Sequence, residues 1–316
     1  MKITVLDGYT LNPGDNPWDE VAKLGTFVCH DRTPAELILD RARDAEIILT
    51  NKTPLSAATL AQLPKLKFIG VLATGYNVVD VKAARARGIA VANVPIYGTD
   101  AVAEYVFALL LNFYRQPQLH SDLVKNGEWS KSEWSFWRTT LTEVAGRTIG
   151  IVGFGRIGRR VGEIAAAFKM NVLAHDVFHG NPPAYSFAWR EIPELFAEAD
   201  VVTLHCNLTP ENTGMVNQAL LARMKSSAYL INTSRGQLVN DTDLAEALRR
   251  GQLAGAALDV VTTEPIPSDS PLLHAPNITI TPHIAWAALG ARRRLMQITA
   301  DNVAAFIAGK PINLVN

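Results

Sequence analysis

The chain has 316 residues, 48% of them hydrophobic and 19% charged, which is enough for two domains with sizeable apolar cores. Its 30 Lys and Arg residues balance 30 Asp and Glu residues, so its charge gives no reason to expect a nucleic acid or an anionic membrane as a partner. Its two cysteines, Cys29 and Cys206, exclude a disulfide framework and suit a reducing compartment. Because the N-terminus lacks the apolar core of a signal peptide, we expect a cytoplasmic protein. We also expect no bound metal.

Short apolar runs alternate with helix-like segments through the first third of the chain. The runs predicted as strands are KITVLD, GTFVCH, AEIILT, KFIGVL and IAVANV. The segments between them have helical spacing and are interrupted by Pro and Gly. Strand and helix in alternation predict a parallel sheet with helices on both of its faces.

A helix is predicted over residues 100–114, and it is apolar on more than one face. Several apolar side chains of this helix compete for burial, namely those of Val102, Phe107, Leu109 and Leu110. The next segment, residues 120–138, is polar but carries Trp129, Trp134, Phe136 and Trp137. Because this segment is too polar to form a core of its own, its aromatic side chains are candidates for an interface between proteins.

The alternation begins again at Arg147. Six further strands are predicted at TIGIV, NVLAH, DVVTLH, AYLIN, AGAALDV and NITIT. Their unbroken Val and Ile runs are typical of buried parallel strands, and together they indicate a six-stranded dinucleotide-binding fold. Residues 287–309 again have helical spacing, and the last residues can return to the first unit. We therefore expect a discontinuous first domain, residues 1–99 and 285–316, and a second domain inserted at residues 100–284.

The second unit carries a glycine motif, GFGRIG, directly after its first strand. Gly153 permits a tight turn, Gly155 allows the backbone to approach a pyrophosphate, and Gly158 allows the following helix to pack on the strand. Glycines alone also mark ordinary turns, but a buried strand precedes this motif and an amphipathic helix follows it. The helix N-terminus would then offer N–H groups and a positive dipole end to the phosphates.

The next predicted strand ends at Asp176, which is suitably placed to accept hydrogen bonds from the adenosine ribose. The alternative is a strand-end Asp that only caps a loop. No Arg or Lys lies between Asp176 and Trp189, so the sequence offers no nearby cation for the 2′-phosphate of NADP. The motif therefore predicts NAD as the cofactor.

Polar side chains follow three later strands of the second unit. Arg235 follows AYLIN, Asp259 and then Glu264 follow AGAALDV, and His283 follows NITIT. The carboxyl ends of parallel strands meet at one edge of a sheet, where ligands bind. There a guanidinium can hold a carboxylate, a histidine can donate a proton, and a glutamate can fix the histidine ring. This set predicts hydride transfer between a nicotinamide and the C2 carbon of a small 2-keto or 2-hydroxy acid.

Each of these residues also has an ordinary structural interpretation. Arg235 could lie in a surface turn, Glu264 in a solvated loop, and His283 at a packed strand end. His205 is a rival to His283, because it ends its own strand in the same way. Position in the sequence does not separate the two histidines.

The chain resembles the D-isomer-specific 2-hydroxyacid dehydrogenases. The resemblance rests on GFGRIG, Asp176, INTSRG, the stretch from Asp259 to Glu264 and Pro265, and TPHIAW, in this order, and it extends to ATGYNVVD in the first unit. It implies an α/β fold of two doubly wound parallel-sheet domains, in which a Rossmann NAD-binding domain is inserted into a flavodoxin-like substrate domain.

The resemblance also implies roles for individual residues. The Arg, Glu and His of the family motifs form its catalytic triad, which implies Arg235, Glu264 and His283 here and places His205 beside the cofactor. Further residues implied at the NAD site are Thr74, Arg156, Ile157, Asp176, Cys206, Thr233 and Asp259. The implied substrate contacts are Ala73, Thr74 and Gly75, which would hold the carboxylate together with Arg235, and Trp286.

Within the family, the segments TNKTPLS, YNVVD, GEWS, SFW and HIAW look most like glycerate dehydrogenases, which are also called hydroxypyruvate reductases. Lys52 is then either a cation of the substrate pocket or a solvated loop lysine. Two alternatives stay open: a dehydrogenase for another 2-keto acid such as pyruvate or glyoxylate, and an NAD-binding corepressor-like protein. The resemblance also implies a homodimer, in which Trp134 or Trp137 either reaches the partner's active site beside Trp286 or packs in the dimer contact.

Overall fold

The computed structural model describes residues 1–132, 134–180 and 182–316. The strands of this part of the chain are β1 (Lys2–Val5), β2 (Thr26–Cys29), β3 (Ile47–Thr50), β4 (Phe68–Val71), β5 (Ala90–Ala92), β6 (Thr148–Val152), β7 (Asn171–His175), β8 (Ala188–Trp189), β9 (Val201–Leu204), β10 (Tyr229–Asn232), β11 (Gly255–Leu258) and β12 (Ile278–Ile280). Its α-helices are α1 (Asp19–Ala22), α2 (Ile38–Ala42), α3 (Ala57–Ala61), α4 (Val81–Ala86), α5 (Thr99–Arg115), α6 (Pro117–Lys125), α7 (Arg156–Ala167), α8 (Ile192–Glu198), α9 (Gln218–Leu221), α10 (Asp241–Arg249) and α11 (Leu289–Ile307).

These elements form two units, one of residues 1–98 and 286–316 and the other of residues 99–285. In its described residues the first unit has one five-stranded parallel sheet, in the order β2-β1-β3-β4-β5. The five strands predicted for this region are all present. The strand order reverses between β1 and β3, as in flavodoxin-like folds.

Apolar side chains cover both faces of the first sheet. Ile47 and Leu49 pack with residues of α11 on one face, while Ile48 packs with residues of α3 and α4 on the other. Successive side chains of a strand point to opposite faces, so a strand buried on both sides must be apolar throughout. This requirement explains the unbroken apolar runs in the sequence.

The second unit has one seven-stranded parallel sheet in the described residues, in the order β12-β11-β10-β9-β6-β7-β8. The sequence predicted six strands here, and the prediction missed β8. This strand has only two residues, and Leu173 and Ala174 of β7 pair with them. A strand that short forms no recognisable apolar run. The order of the other strands is that of a doubly wound dinucleotide-binding fold, with its switch point between β6 and β9.

The predicted helix at residues 100–114 corresponds to α5. Its second apolar face is buried within the chain itself, since Val102 is 7% exposed and Leu109 is 6% exposed. The predicted burial of these two side chains is therefore met within the chain itself. By contrast, α6 buries none of its side chains, and Trp134 and Trp137 beyond it are 81% and 64% exposed.

The C-terminal residues run beside β5 in the first unit. Leu314 bridges to Ala92 in an antiparallel sense, and the Val315 N–H donates to the Val91 carbonyl at 2.8 Å. The Asn316 side chain also accepts a hydrogen bond from the Val91 N–H at 2.8 Å. None of the helices in the described residues is both long enough and apolar enough to cross a membrane.

Candidate active site

The glycine motif forms a tight loop between β6 and α7. Gly153 has a φ of +91°, and a Cβ at this position would collide with the backbone of His205 and Cys206 in the neighbouring loop after β9. A Cβ on Gly158 would collide with the Gly153 carbonyl oxygen. A Cβ on Gly155 would meet no atom within 4 Å. The loop thus needs glycine to close, and it leaves open space at the N-terminus of α7, where a phosphate group would fit.

Asp176 lies directly after β7 and is oriented by two backbone groups. Its Oδ2 accepts a hydrogen bond from the Phe154 N–H at 2.6 Å, and its Oδ1 accepts one from the Phe178 N–H at 3.0 Å. The carboxylate is therefore fixed beside the glycine-rich loop before any ligand binds. A preorganised acceptor at the end of the second strand suits a ribose diol.

A cation lies near this loop, although the sequence around Asp176 has none. Arg159, in the first turn of α7, donates from Nε to the Phe154 carbonyl at 2.9 Å and from Nη2 to the Gly180 carbonyl at 2.5 Å. The lack of Arg and Lys between Asp176 and Trp189 therefore does not keep every cation from this segment, because Arg159 reaches Gly180 from the preceding helix. A search limited to neighbours of Asp176 in the sequence could not find it.

Four further residues predicted at the cofactor site lie in the loops after β9 and β10 or at the start of α7. Burial raises the pKa of the Cys206 thiol to about 11, so the thiol is neutral near pH 7. The Thr233 hydroxyl is buried and has no hydrogen-bond partner in the described part of the chain. Ile157 is half-buried against the apolar core under α7, whereas Arg156 before it is exposed. The open glycine loop and the unsatisfied Thr233 hydroxyl together fit a dinucleotide.

His283 and Glu264 are brought into direct contact. His283 Nδ1 lies 2.7 Å from Glu264 Oε2, although 19 positions separate them in the sequence. His283 has a φ of +57°, which is uncommon for a residue with a side chain. Such a backbone persists only where surrounding contacts hold it.

Asp259 supplies several of those contacts. Its side chain is almost completely buried and accepts hydrogen bonds from Thr281 Oγ1 at 2.6 Å and from the N–H groups of Ile284 and Ala285, both at 2.8 Å. Its own carbonyl accepts the His283 N–H at 2.8 Å. Burial raises the pKa of the Asp259 carboxyl, while these donors act in the opposite direction. Asp259 thus fixes the loop that carries His283, and its predicted contact with the cofactor stays a prediction.

Arg235 follows β10 in a loop that Asn232 holds. The buried Asn232 side chain donates to the Arg235 carbonyl at 2.8 Å and accepts the Ser234 N–H at 3.0 Å. A Cβ on Gly236 would collide with the Val261 backbone, so this loop packs closely against the chain after β11. Because β10, β11 and β12 are neighbours in the sheet, the loops with Arg235, Glu264 and His283 all leave the same edge.

His205 differs from its rival in its surroundings. Its Nε2 lies 2.9 Å from the Thr203 hydroxyl, and burial lowers its pKa to about 3. A histidine with this pKa is neutral at physiological pH and is a poor reservoir for a proton. His283 instead contacts a carboxylate, so the two histidines, which follow strands in the same way, differ in the groups around their rings.

The predicted substrate loop of the first unit, Ala73 to Gly75, follows β4 and is fixed to the end of β5. Thr74 Oγ1 donates to the Val94 carbonyl at 2.9 Å, and the Asn93 side chain donates to the Thr74 carbonyl at 2.7 Å. In residues 1–132, 134–180 and 182–316, the N–H groups of Thr74 and Gly75 have no acceptor. The loop can therefore offer these N–H groups to an anion.

Sequence reasoning missed Asp7, which holds the loop of Lys52 after β3. The buried Asp7 carboxylate accepts the N–H groups of Asn51, Lys52 and Thr53 at 2.8, 2.6 and 2.7 Å. Lys52 is thus the exposed residue of a fixed loop at the carboxyl edge of the first sheet. Trp286 belongs to the same unit and stacks edge-on against Tyr97, with ring centroids 6.0 Å apart.

Comparisons with known proteins show the family of the chain. A family model for the NAD binding domain of D-isomer specific 2-hydroxyacid dehydrogenases matches residues 107–285. The chain is 47% identical to the hydroxypyruvate reductase of Blautia hydrogenotrophica over the full length of both. It is 42% identical to the glycerate dehydrogenase of Methylorubrum extorquens, covering 90% of this chain and 89% of that one.

A solved structure resembles the whole chain. It is the NADPH-dependent glyoxylate/hydroxypyruvate reductase of Sinorhizobium meliloti, in complex with NADP and malonate, with a TM-score of 0.84, 28% identity, and coverage of 99% and 96% of the two chains. The second unit of the present chain is thus a nicotinamide-dinucleotide domain. The chain belongs to the D-isomer specific 2-hydroxyacid dehydrogenase family.

Proposed function

We propose that this protein is an NAD-dependent dehydrogenase that reduces hydroxypyruvate to D-glycerate. The observation that carries the reaction is the 2.7 Å contact between His283 Nδ1 and Glu264 Oε2, on the sheet edge that also bears Arg235. The two relatives named as a hydroxypyruvate reductase and a glycerate dehydrogenase support this substrate over other 2-keto acids.

The residues of the second unit have complementary roles in this reaction. When bound, the nicotinamide supplies the hydride that C2 of the keto acid receives. Arg235 binds the substrate carboxylate through its planar fork and holds C2 in place. His283 donates a proton to the keto oxygen from Nε2, the ring nitrogen opposite the one that Glu264 engages. Glu264 fixes the ring orientation and stabilises the charge that the ring carries.

The first unit contributes the remaining proposed substrate contacts. The backbone N–H groups at Ala73, Thr74 and Gly75 are proposed donors to the carboxylate, and Trp286 is a proposed apolar contact. The proposed NAD site consists of Thr74, Gly153, Gly155, Arg156, Ile157, Gly158, Asp176, Cys206, Thr233 and Asp259, with Arg235 and His283.

The choice of NAD over NADP rests on Asp176. A 2′-phosphate would bring negative charge beside a carboxylate that Phe154 and Phe178 already hold in place. At about 4 Å and an effective dielectric constant near 20, two unit charges of one sign repel by about 4 kcal/mol before screening by salt. Even a fraction of this energy gives a strong preference for NAD. The guanidinium of Arg159, which reaches this loop, already donates hydrogen bonds to the carbonyl oxygens of Phe154 and Gly180.

Steady-state kinetics of the purified protein test the proposal. With NADH, we expect kcat/KM to be highest for hydroxypyruvate and lower for glyoxylate and pyruvate. With NADPH in place of NADH, we expect kcat/KM to fall at least tenfold. A higher value for glyoxylate or pyruvate would transfer the assignment to that acid, and equal values for NADH and NADPH would contradict the role of Asp176. Absence of turnover with every acid, with NADH binding intact, would favour a corepressor-like protein.

We further propose that the protein is a homodimer whose contact includes α6 and the aromatic segment after it. Apolar side chains in this region remain exposed in the single chain, at Leu119, Val124, Trp129, Trp134, Trp137 and Leu141. Large aromatic side chains are typical anchors of protein interfaces. Either Trp134 or Trp137 enters the partner's substrate site, or both pack only in the contact.

A mixture of two inactive variants distinguishes these roles. If Trp137 acts in the partner's site, mixed His283→Ala and Trp137→Ala subunits should regain activity, because one site of each hybrid dimer then has both residues. Trp134→Ala is tested in the same way, and hybrid dimers are confirmed by native mass spectrometry. Hybrids without recovered activity would show that the tryptophans act as packing, and a monomer at micromolar concentration would contradict the dimer.

A further inference from the structure

We infer that Arg159 is a cofactor-positioning residue that ties the glycine-rich loop to the loop carrying Asp176. The inference rests on the proposed NAD site and adds a residue that belongs to neither cofactor motif. The arginine acts through these two loops, and it fixes their separation before the cofactor binds.

The contacts of Phe154, the second residue of the glycine motif, show how the two loops are joined. Its N–H donates to Asp176 Oδ2 at 2.6 Å, and its carbonyl accepts from Arg159 Nε at 2.9 Å. Arg159 Nη2 continues to the Gly180 carbonyl, which lies 21 positions further along the chain. One guanidinium therefore bridges the loop that would bind the pyrophosphate and the loop that would bind the ribose.

Arg159 is itself held from the other side. The Tyr185 hydroxyl donates to the Arg159 carbonyl at 2.7 Å. A Cβ on Gly162 would collide with that hydroxyl, so glycine at this position leaves the space in which Tyr185 packs against α7. The Phe154 ring packs against Tyr185 and Trp189, with ring centroids 6.5 and 5.5 Å apart. The segment after Asp176 is thus fixed at Gly180 by Arg159 and further on by aromatic packing.

This arrangement predicts an effect on cofactor binding and little effect on the chemical step. A loop that is already ordered loses less conformational entropy when its ligand binds, so preorganisation raises affinity. The proposed reacting groups follow β10, β11 and β12, whereas the Arg159 bridge lies beside β6 and β7. Loss of the bridge should therefore change the dissociation constant for NADH while a saturated enzyme retains its kcat.

The test compares Arg159→Gln with Arg159→Lys and Arg160→Gln. Arg160 is a matched control, because it is the next arginine of the same helix and pairs with Asp100 and Glu163 at 2.8 and 2.7 Å. For each variant, calorimetry gives the Kd for NADH, and steady-state kinetics with hydroxypyruvate give kcat at saturating NADH. Hydrogen exchange at residues 176–180 without cofactor reports the order of the loop.

We expect Arg159→Gln to raise the Kd for NADH about tenfold, the scale for lost hydrogen bonds from a charged group, with kcat within about twofold of the wild type. Exchange at residues 176–180 should become faster. The Kd of Arg159→Lys for NADH should lie between those of the wild type and Arg159→Gln, since one ammonium cannot reproduce the fork that spans two carbonyls. Arg160→Gln should match the wild type.

The inference is overturned if folded Arg159→Gln and Arg159→Lys bind NADH as tightly as the wild type. It is equally overturned if kcat falls while the Kd is unchanged, or if Arg160→Gln weakens NADH as much as Arg159→Gln. If Arg159→Lys keeps the melting temperature of the wild type, its change in the Kd for NADH is not caused by general unfolding. The proposed function is judged independently, from NADH binding and hydroxypyruvate turnover by the wild-type protein.

Discussion

Replacement of His283 by Ala is expected to lower kcat for hydroxypyruvate reduction by roughly 10²–10⁴-fold, which is the usual contribution of a positioned proton donor. The developing alkoxide would then have to take its proton from water. Most of the affinity for NADH should survive, because His283 is only one residue of the proposed NAD site, and the glycine loop and Asp176 lie far along the sheet from β12. Steady-state kinetics at saturating NADH, together with calorimetric titration of NADH, measure the two effects separately.

His205→Ala is the matched control for this prediction. His205 also follows a strand of the same sheet, but burial lowers its pKa to about 3 and Thr203 is its hydrogen-bond partner. Its loss should disturb packing near the glycine loop and reduce kcat much less than His283→Ala. If the two variants exchanged these effects, the proton would come from the other histidine, and the pairing of His283 with Glu264 would be structural.

The strands of both sheets could be predicted because a strand that is buried on both faces has an unbroken run of apolar residues in the sequence. Ile47, Ile48 and Leu49 are all completely buried, and only a strand covered on both sides requires such a run. The missed strand, β8, has two residues at the sheet edge and is held by pairing with β7. Its existence depends on tertiary contacts that leave no local pattern.

The hydrophobic pattern of α5 shows a second limit. The sequence identified Val102 and Leu109 as apolar side chains that need burial, and both are buried. The sequence could not tell what covers them, and in the structure other parts of the same chain bury both side chains. Hydrophobic periodicity indicates which side chains leave water, but not whether their own chain or a partner packs against them.

The candidate site divides in the same way. Arg235, Glu264 and His283 could be predicted because ligand-binding side chains of parallel sheets follow strand ends, which are visible in the sequence, although position alone did not separate His283 from His205. Arg159 and Asp7 could not be found, because their partners are backbone groups distant in the sequence. Asp7 accepts hydrogen bonds from backbone N–H groups 44 to 46 positions away in the sequence. Such a bond requires no particular residue type at the donor position.

Arg235→Lys is expected to lower kcat/KM for hydroxypyruvate strongly, even though the positive charge remains. Lysine presents a compact ammonium, whereas the guanidinium meets a carboxylate with two parallel hydrogen bonds. Disruption of a buried, hydrogen-bonded charge pair usually costs about 2–5 kcal/mol, which corresponds to a loss of roughly 30- to 4000-fold. The loop should keep its shape, because Asn232 holds the backbone carbonyl of residue 235.

The measurement is kcat/KM for hydroxypyruvate at saturating NADH, together with the Kd for NADH. Arg223→Lys is the control, since this exposed arginine precedes β10 and lies outside the proposed site. We expect the control to match the wild type. Arg235→Lys should keep most of its affinity for NADH, because the glycine loop and Asp176 are unchanged, and it should lose most of its affinity for the keto acid. A carboxylate contact forms before the hydride moves, so much of the loss should appear as a higher KM. Near-normal kcat/KM in Arg235→Lys would place this side chain outside the pocket and leave the substrate carboxylate to the N–H groups at Ala73, Thr74 and Gly75.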